Sequence, residues 1–495
     1  MNYTKLAVRG AATVFIISII AAFLGYLVRL ILAKNLTVEQ FGLFYAVFAF
    51  LALLSLIKTF GYDRALIKFI PEFSHEKRGD KIKSSIIYVS IIQLVTNTII
   101  ILLVYLLANY LSIHFFKTEE ASLILKLLAI GFFIDSFVVI IKFCFQGFKK
   151  MVLFSILDLI RMVSLVVITL IGINMGLGLL SPAVAYLLAP LILLFIFGFI
   201  FVKKVFPEIF KANLIIDIKL FKKISKYSLF IILTSSGVLV LGHTDSLMLT
   251  YFTGISAVGL YNVALPTSKI LIYFPLAIGS ILLPVTSELW VKRKKLILRE
   301  GMESLYKYSM IIILPLALIM ISFTDLILLV LFGKEYVPAS LALKILSIGT
   351  IFITLHQINA NFFSGIGKPQ IHSKIIYSAV IFNLSGNLIL IPLLGIIGAA
   401  ITTSVSYLLM MVVGLTKIKR FIKISLPIGS WLKTLISGLI FTLSIWVLKK
   451  VIFLNVWIES LIILTISGII YLAMLFILRI LTITEAKELY KRIVK

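Results

Sequence analysis

The sequence predicts an all-α, polytopic membrane protein of 14 transmembrane helices, built as two parallel-repeat six-helix bundles plus two appended helices. Three observations predict it. Hydrophobic residues make up 61% of the 495-residue chain and charged residues only 14%, where soluble domains carry about 25%. Apolar stretches long enough for a spanning helix, about 20 residues, recur along the whole length. Lysine and arginine collect in alternate connections between those stretches. A soluble globular enzyme and a disordered chain are thereby excluded.

The stretch from Ala11 to Ala33 has no small-residue cleavage site behind it, so it reads as a retained first helix and not a signal peptide. The remaining spans follow in order, and all are too long for barrel strands of ~10 residues. Together the spans cover roughly residues 10–33, 41–60, 85–109, 121–145, 152–173, 180–203, 226–252, 257–287, 304–332, 339–364, 371–393, 396–417, 430–449 and 456–481.

Loop charge tests this count. The chain has 47 basic and 20 acidic residues, a net +27. In a soluble protein that excess would point to nucleic acid; here it marks the cytoplasmic side of a membrane. With the N-terminus inside, the inner connections hold Arg64, Lys68, Lys77, Arg78, Lys81 and Lys83, then Lys203 to Lys226, then Lys292 to Arg299, then Lys417 to Lys423. The outer connections hold only Lys34, Lys117, Lys334, Lys449 and Lys450. An odd miscount would put basic loops on both sides. The pattern predicts a multi-pass protein of the cell membrane with both termini cytoplasmic.

An internal repeat organises the spans. LKLLAIG at 125–131 returns as LKILSIG at 343–349, an offset of 218. Phe145-Gln146-Gly147 returns as Phe363-Ser364-Gly365 at the same offset. Gly42-Leu43-Phe44 returns as Gly259-Leu260-Tyr261, and Val184 to Leu188 returns as Val405 to Leu409. The offset covers six helices. Six is even, so both copies face the same way through the membrane. The domains are then 1–210 and 211–423, the two six-helix bundles, and 424–495, two further spans and a basic tail. Parallel bundles of this kind place a cleft near the midplane, open to either side as one bundle rocks against the other.

No enzyme is read here. Walker A, HExxH and GxSxG sequences are missing, and Gly365-Ile366-Gly367 has no strand before it, so it is not a dinucleotide fingerprint. The five histidines lack metal-ligand spacing, and one cysteine, Cys144, excludes internal disulfides and a cysteine metal cluster. No cofactor and no metal is expected.

What remains are ionisable residues within apolar spans, which cost roughly 2.5–3.5 kcal/mol at a helix centre and so usually face a cavity or a partner. Lys58, Lys126, Lys142, Lys344 and Lys433 sit close enough to helix ends to snorkel. Lys269 lies about 18 Å into its helix, near the midplane. Arg29 is one turn from an outer end, open to snorkelling or a cavity role. Asp245 cannot snorkel and needs a partner or water. Asp158 and Arg161 are three apart on one face, fit for a local ion pair or for a substrate; Asp135 has no local partner. Arg29 precedes Gly42 as Asp245 precedes Gly259, to within a residue, so these opposite charges occupy near-equivalent positions and are candidates to pair when the outer side closes. Pro266, Pro275 and Pro284, nine apart, would bend their helix as a hinge or a fixed curve. The candidate binding residues are Arg29, Lys269 and Arg161; the candidate coupling or gating residues are Asp245, Asp158 and Pro275. Asn383 and Asn387 are spaced for interhelical hydrogen bonds.

Several stretches resemble one family. They are Arg29 to Ala33, Glu39 to Phe44, GYDRALIKFIPE from Gly61 to Glu72, DSLMLTYFTGISAVGLYNVALP from Asp245 to Pro266, PVTSEL from Pro284 to Leu289, Phe332 to Tyr336, Gly367-Lys368-Pro369 and NLILIPLLGIIGAAIT from Asn387 to Thr402. Over nearly the whole chain the sequence resembles the Wzx-type polysaccharide flippases of the multidrug/oligosaccharidyl-lipid/polysaccharide exporter superfamily. The resemblance implies 12 core helices with two added, and export of a lipid-diphosphate-linked oligosaccharide across the plasma membrane. It implies as partners the lipid-linked cargo, membrane lipids and glycosyltransferases or a polymerase of the same pathway, with no nucleic acid. The residues agree in sign: an anionic pyrophosphate suits a cavity with Arg29, Lys269 and Arg161. The nearest alternative is a multidrug/cation antiporter of the same superfamily, which would prefer an acidic cavity; the first helix has no acidic residue, whereas Asp245 and Asp135 favour that reading. A membrane glycosyltransferase would carry a large outer loop with carboxylates, and the longest here, around Asn109 to Ala121, is short.

Overall fold

A computed structural model describes residues 3–482, with the side chains of residues 3–13, 233–235 and 273–281 outside the described residues. All regular elements among the described residues are helices: α1 (Tyr3–Asn35), α2 (Val38–Thr59), α3 (Tyr62–His75), α4 (Gly79–Leu111), α5 (Glu120–Gly147), α6 (Met151–Asn174), α7 (Leu180–Ile200), α8 (Ile218–Phe252), α9 (Ile255–Lys269), α10 (Tyr273–Val291), α11 (Lys295–Ser322), α12 (Thr324–Leu331), α13 (Ser340–Gly365), α14 (Pro369–Leu394), α15 (Ile396–Ile418), α16 (Ile428–Val451) and α17 (Val456–Ile477). Thirteen helical stretches are long and apolar enough to cross a membrane, and α8, bent by 47°, makes the fourteenth. The expected all-α fold with 14 spans is what the chain adopts.

Two elements differ from the sequence reading. The connection after the second span contains α3, whose Ala65, Leu66, Phe69, Ile70 and Phe73 are buried in a core shared with Ile82, Ile86, Phe145 and Leu157. The apolar residues recur at helical spacing, but the basic side chains between them had marked the segment as a loop. The break before α3 is sharp because Phe60 and Gly61 both adopt left-handed backbone, at φ 45° and 74°. At Gly61 a Cβ would also approach the Ser228 carbonyl oxygen to 2.7 Å. Conversely, the expected eighth span is not one helix. It is α9, a 3-10 turn at Ile270–Ile272, and α10. Lys269 is the last residue of α9, at that break. Pro275 stands in the first turn of α10, where a missing N–H costs nothing; its side chain lies outside the described residues.

The chain packs as two compact units, one of Met1–Val263, Leu331–Ala339 and Ile376–Ala399, the other of Ala264–Val330, Ser340–Ile375 and Ala400–Lys495. Each contains its own version of the repeated contacts. In the first unit a Cβ on Gly147 would lie 3.0 Å from the Leu66 carbonyl oxygen of α3. In the second, a Cβ on Gly365 would lie 3.1 Å from the Leu283 carbonyl oxygen of α10. Leu66 and Leu283 are themselves equivalent under the repeat, so α3 and α10 are the same element in two copies. Gly131 and Gly349 behave alike: a Cβ would collide with the Tyr186 carbonyl of α7, and would lie 2.5 Å from Ser404 Oγ of α15.

Within the first unit the repeat also meets itself. The N-terminal turn of α2, fixed by a reciprocal Thr37–Gln40 capping box, crosses α9. A Cβ on Gly42 would collide with the Ile255 carbonyl, and a Cβ on Gly259 with the Val38 carbonyl. Val38 and Ile255 are repeat equivalents, so the crossing is reciprocal about a local two-fold. Only glycine admits backbones this close.

Candidate functional site

The interior of the first unit carries the charges. Arg29 of α1 lies over the Tyr45 ring, 4.1 Å from its centroid, and Arg29 Nη1 donates to the Asn262 carbonyl of α9. Tyr186 of α7 lies within electrostatic reach of Arg29, Arg161 and Asp135. Lys58 lies within reach of Asp135 and Arg161. These residues therefore form one cluster, contributed by α1, α2, α5, α6 and α7.

Lys58 does not snorkel, contrary to the sequence reading: it is 6% exposed, and its ammonium donates to the Phe132 carbonyl of α5. Lys142 is also engaged rather than snorkelling. It donates to both oxygens of Asp158, at 2.7 and 2.8 Å. Arg161 Nη1 lies 2.9 Å from Asp135 Oδ1. Asp158 and Arg161 thus pair outward to α5, each with a different residue, and not with one another. The sequence offered no way to see this, since the partners are one helix away.

Arg161 is left incompletely paired. Its Nε and Nη2 are buried and without a hydrogen-bond partner, and the Asp135 contact is off the hydrogen-bonding direction. Nε and Nη2 share one edge of the guanidinium, so two parallel N–H groups point from it. That edge matches two oxygens of a carboxylate or phosphate. Leaving charged donors unpaired in a buried site is costly.

Asp245 of α8 is 1% exposed. Tyr261 of α9 donates its hydroxyl to Oδ2 at 2.5 Å, and Asn387 of α14 donates to Oδ1 at 2.7 Å. The next residue, Asn262, donates to Ser246 Oγ at 3.0 Å. Arg29 and Asp245 therefore engage adjacent residues of α9, Asn262 and Tyr261. Of the pair spaced for interhelical hydrogen bonds, Asn387 makes one, to Asp245 of α8, and also bonds within its own helix to Asn383 Oδ1 at 3.1 Å. Lys269 belongs to the second unit and is half-buried at the α9 break. No group of three or more metal-ligating side chains occurs among the described residues.

Comparison with known proteins fits this anatomy. A profile of the family described as "Polysaccharide biosynthesis protein" matches residues 7–290, and one described as MatE matches residues 230–389. An uncharacterized membrane protein of Methanocaldococcus jannaschii is 36% identical over the full length of both chains. The probable low-salt glycan biosynthesis flippase Agl15 of Haloferax volcanii is 24% identical, over 81% of this chain and 80% of its own. Among solved structures, the lipid II flippase MurJ in an inward closed conformation superposes with a TM-score of 0.74 at 16% identity, covering 97% of this chain and 99% of that one. An inward-facing multidrug resistance MATE transporter of the MOP superfamily gives 0.69 at 15% identity, covering 81% and 95%. The chain belongs to the polysaccharide biosynthesis protein family and is a multi-pass membrane protein.

Proposed function

We propose that the chain moves a lipid-diphosphate-linked oligosaccharide from the cytoplasmic to the outer leaflet of the cell membrane, for cell-surface polysaccharide or glycan synthesis. The observation that carries this reading is the free edge of Arg161, buried among apolar helices beside Arg29 and Lys58. A diphosphate stripped of water needs such donors. Arg29, Arg161 and Lys269 are the residues proposed to meet it, with Asp245, Asp158 and Pro275 proposed to act in coupling or gating. Movement would be by alternating access without ATP, since no nucleotide motif occurs. Glycosyltransferases or a polymerase of the same pathway would supply and use the cargo. The cationic-drug alternative is disfavoured because the Asp245 carboxylate already holds two donors.

A strain lacking the protein tests this. Lipid-linked oligosaccharide should accumulate on the inner face and clear when the gene is restored, but not when Arg161→Gln is restored at equal protein level. Unchanged export in the deletion strain would defeat the proposal.

A further inference from the structure

The second unit contains a histidine pair apart from the charged cluster. His356 lies on α13 and His372 in the first turn of α14. Their rings stack with centroids 5.2 Å apart and planes 25° apart. His356 Nε2 is 3.3 Å from His372 Nδ1, and His356 Nδ1 is 2.9 Å from the Met410 carbonyl oxygen of α15. His356 is fully buried and His372 half-buried.

This geometry fixes the protons. A carbonyl oxygen only accepts, so His356 Nδ1 carries hydrogen. In the neutral ring, His356 Nε2 then offers a lone pair, and His372 Nδ1 must donate to it. The lone pair of His372 Nε2 is left as the basic end of the chain. A proton taken there releases the His372 Nδ1 hydrogen to His356 Nε2. The inter-ring bond survives with its direction reversed, and so does the bond to Met410. The loaded pair holds three hydrogens on four nitrogens and one positive charge. A second proton would set two N–H groups against each other, so the pair takes one.

The surroundings offer that charge no counter-ion. On α11, Tyr306 gives its hydroxyl hydrogen to Asn359, one turn along α13. Glu303 is held by Arg299 and Ser425, and Glu288 of α10 by Lys292. Lys368, just before α14, leans over the Phe421 ring at 4.8 Å. Lys374 on α14 is exposed, Lys344 lies about three turns along α13 from His356, and Lys417 about two turns along α15 from Met410. Among the described residues, no carboxylate contacts either ring. An uncompensated charge in a buried site is costly, so loading works against the packing of the first turn of α14 on α13.

We propose that His356 and His372 form a proton-binding site that couples uptake of one proton to release of the first turn of α14 during the transport cycle. The coupling half rests on the flippase reading; the proton site does not.

The test uses the full-length chain, labelled with ¹⁵N-histidine, in lipid nanodiscs. With five histidines in the chain, each ring is resolvable. At about pH 8 both pair members should be Nδ1–H tautomers, and towards about pH 5 they should change together in a single one-proton step. His372→Asn keeps a donor towards His356 but no proton acceptor, and should abolish that step. Amide exchange of the first turn of α14 should be several-fold faster in the native chain than in His372→Asn at about pH 5, and equal at about pH 8. Two independent titrations, a pair silent across this range, or equal exchange at both pH values would overturn the proposal. If His372→Asn does not fold, the tautomers and titration of the native chain decide. No cargo enters these measurements, so their failure is distinct from export continuing in the deletion strain.

Discussion

Arg161 is the residue on which the cargo reading turns, and its free edge makes the expectation quantitative. Charged hydrogen bonds contribute about 1.5–3 kcal/mol each, so Arg161→Gln should reduce flipping about tenfold to a hundredfold. Arg161→Lys, a point charge without the fork, should fall between Gln and the native residue. Lys269 should follow the same order: Lys269→Arg retains more activity than Lys269→Gln if charge matters more than shape. Lys433, exposed on α16, is the silent control, and Lys433→Gln should flip normally; the measurement throughout is flipping in reconstituted vesicles at matched protein. Asp245 separates charge from packing. Asn387 Oδ1 is buried and without a partner, so in Asp245→Asn the Asn387 amide can turn and accept from the new amide, giving up its bond to Asn383 Oδ1, while Tyr261 still donates to the remaining carbonyl. That variant should fold normally and fail only in the cycle. Asp245→Ala removes the acceptor of the Tyr261 hydroxyl and one of the two acceptors of the Asn387 amide and should lose on the order of 1–3 kcal/mol of stability, read from thermal unfolding in detergent. At this scale the sequence showed which charges are buried, because an ionisable residue in an apolar run is visible. It did not show their partners. Lys58 and Lys142 look like helix-end residues on a line of sequence, and only the placement of α5 against α2 and α6 turns them inward.

Elements were legible where hydrophobicity alone decides. All fourteen spans follow from apolar length, because lipid leaves a helix no alternative partner for its backbone. The exceptions are the two copies of one element. In α3 the basic residues concealed an amphipathic helix; in α10 the apolar residues concealed a break after Lys269. Compared with each other through the 217-residue offset from Gly42 to Gly259, they would have revealed a spanning helix, a turn and a second helix in both halves. The repeated glycines carry the physical meaning of the repeat, since each marks a backbone approach that a Cβ would block. Gly131→Ala and Gly349→Ala should therefore destabilise by about 1–3 kcal/mol each, in the manner of overpacked cores. Gly468→Ala in α17, where a Cβ meets nothing within 4 Å, should instead be neutral or stabilising by up to about 1 kcal/mol. Equal effects at all three, in thermal unfolding, would mean that the close approaches are not what holds α5 on α7 and α13 on α15.

Orientation belongs to the whole chain, because it is set by summed loop charge and not by any one element. The five basic clusters, including the terminal tail, fall on alternate connections, and a lysine or arginine near a span end resists crossing the membrane. Both termini should therefore be cytoplasmic. α3 strengthens the argument: an amphipathic helix with Lys68 over the Tyr227 ring at 4.3 Å and Lys223 paired with Glu72 folds its basic residues onto the same end of the first unit as the connection before α8. The reporters can be chosen from exposure. Lys117, Glu119 and Asn455 are exposed at connections that should lie outside, and Ser74 and Lys419 at connections that should lie inside. Ser112, in the same outer connection as Lys117, is a poor choice, being 1% exposed with its hydroxyl bonded to the Thr118 and Glu119 carbonyls. The background is clean, since the single cysteine, Cys144, is buried in the α5 core. Cysteine at Lys117, Glu119 or Asn455 should react with a membrane-impermeant maleimide added to intact cells, and cysteine at Ser74 or Lys419 should react only after the cells are opened. Labelling of Ser74→Cys from outside would place the basic connections on the wrong face. It would also reverse the direction of transport proposed above.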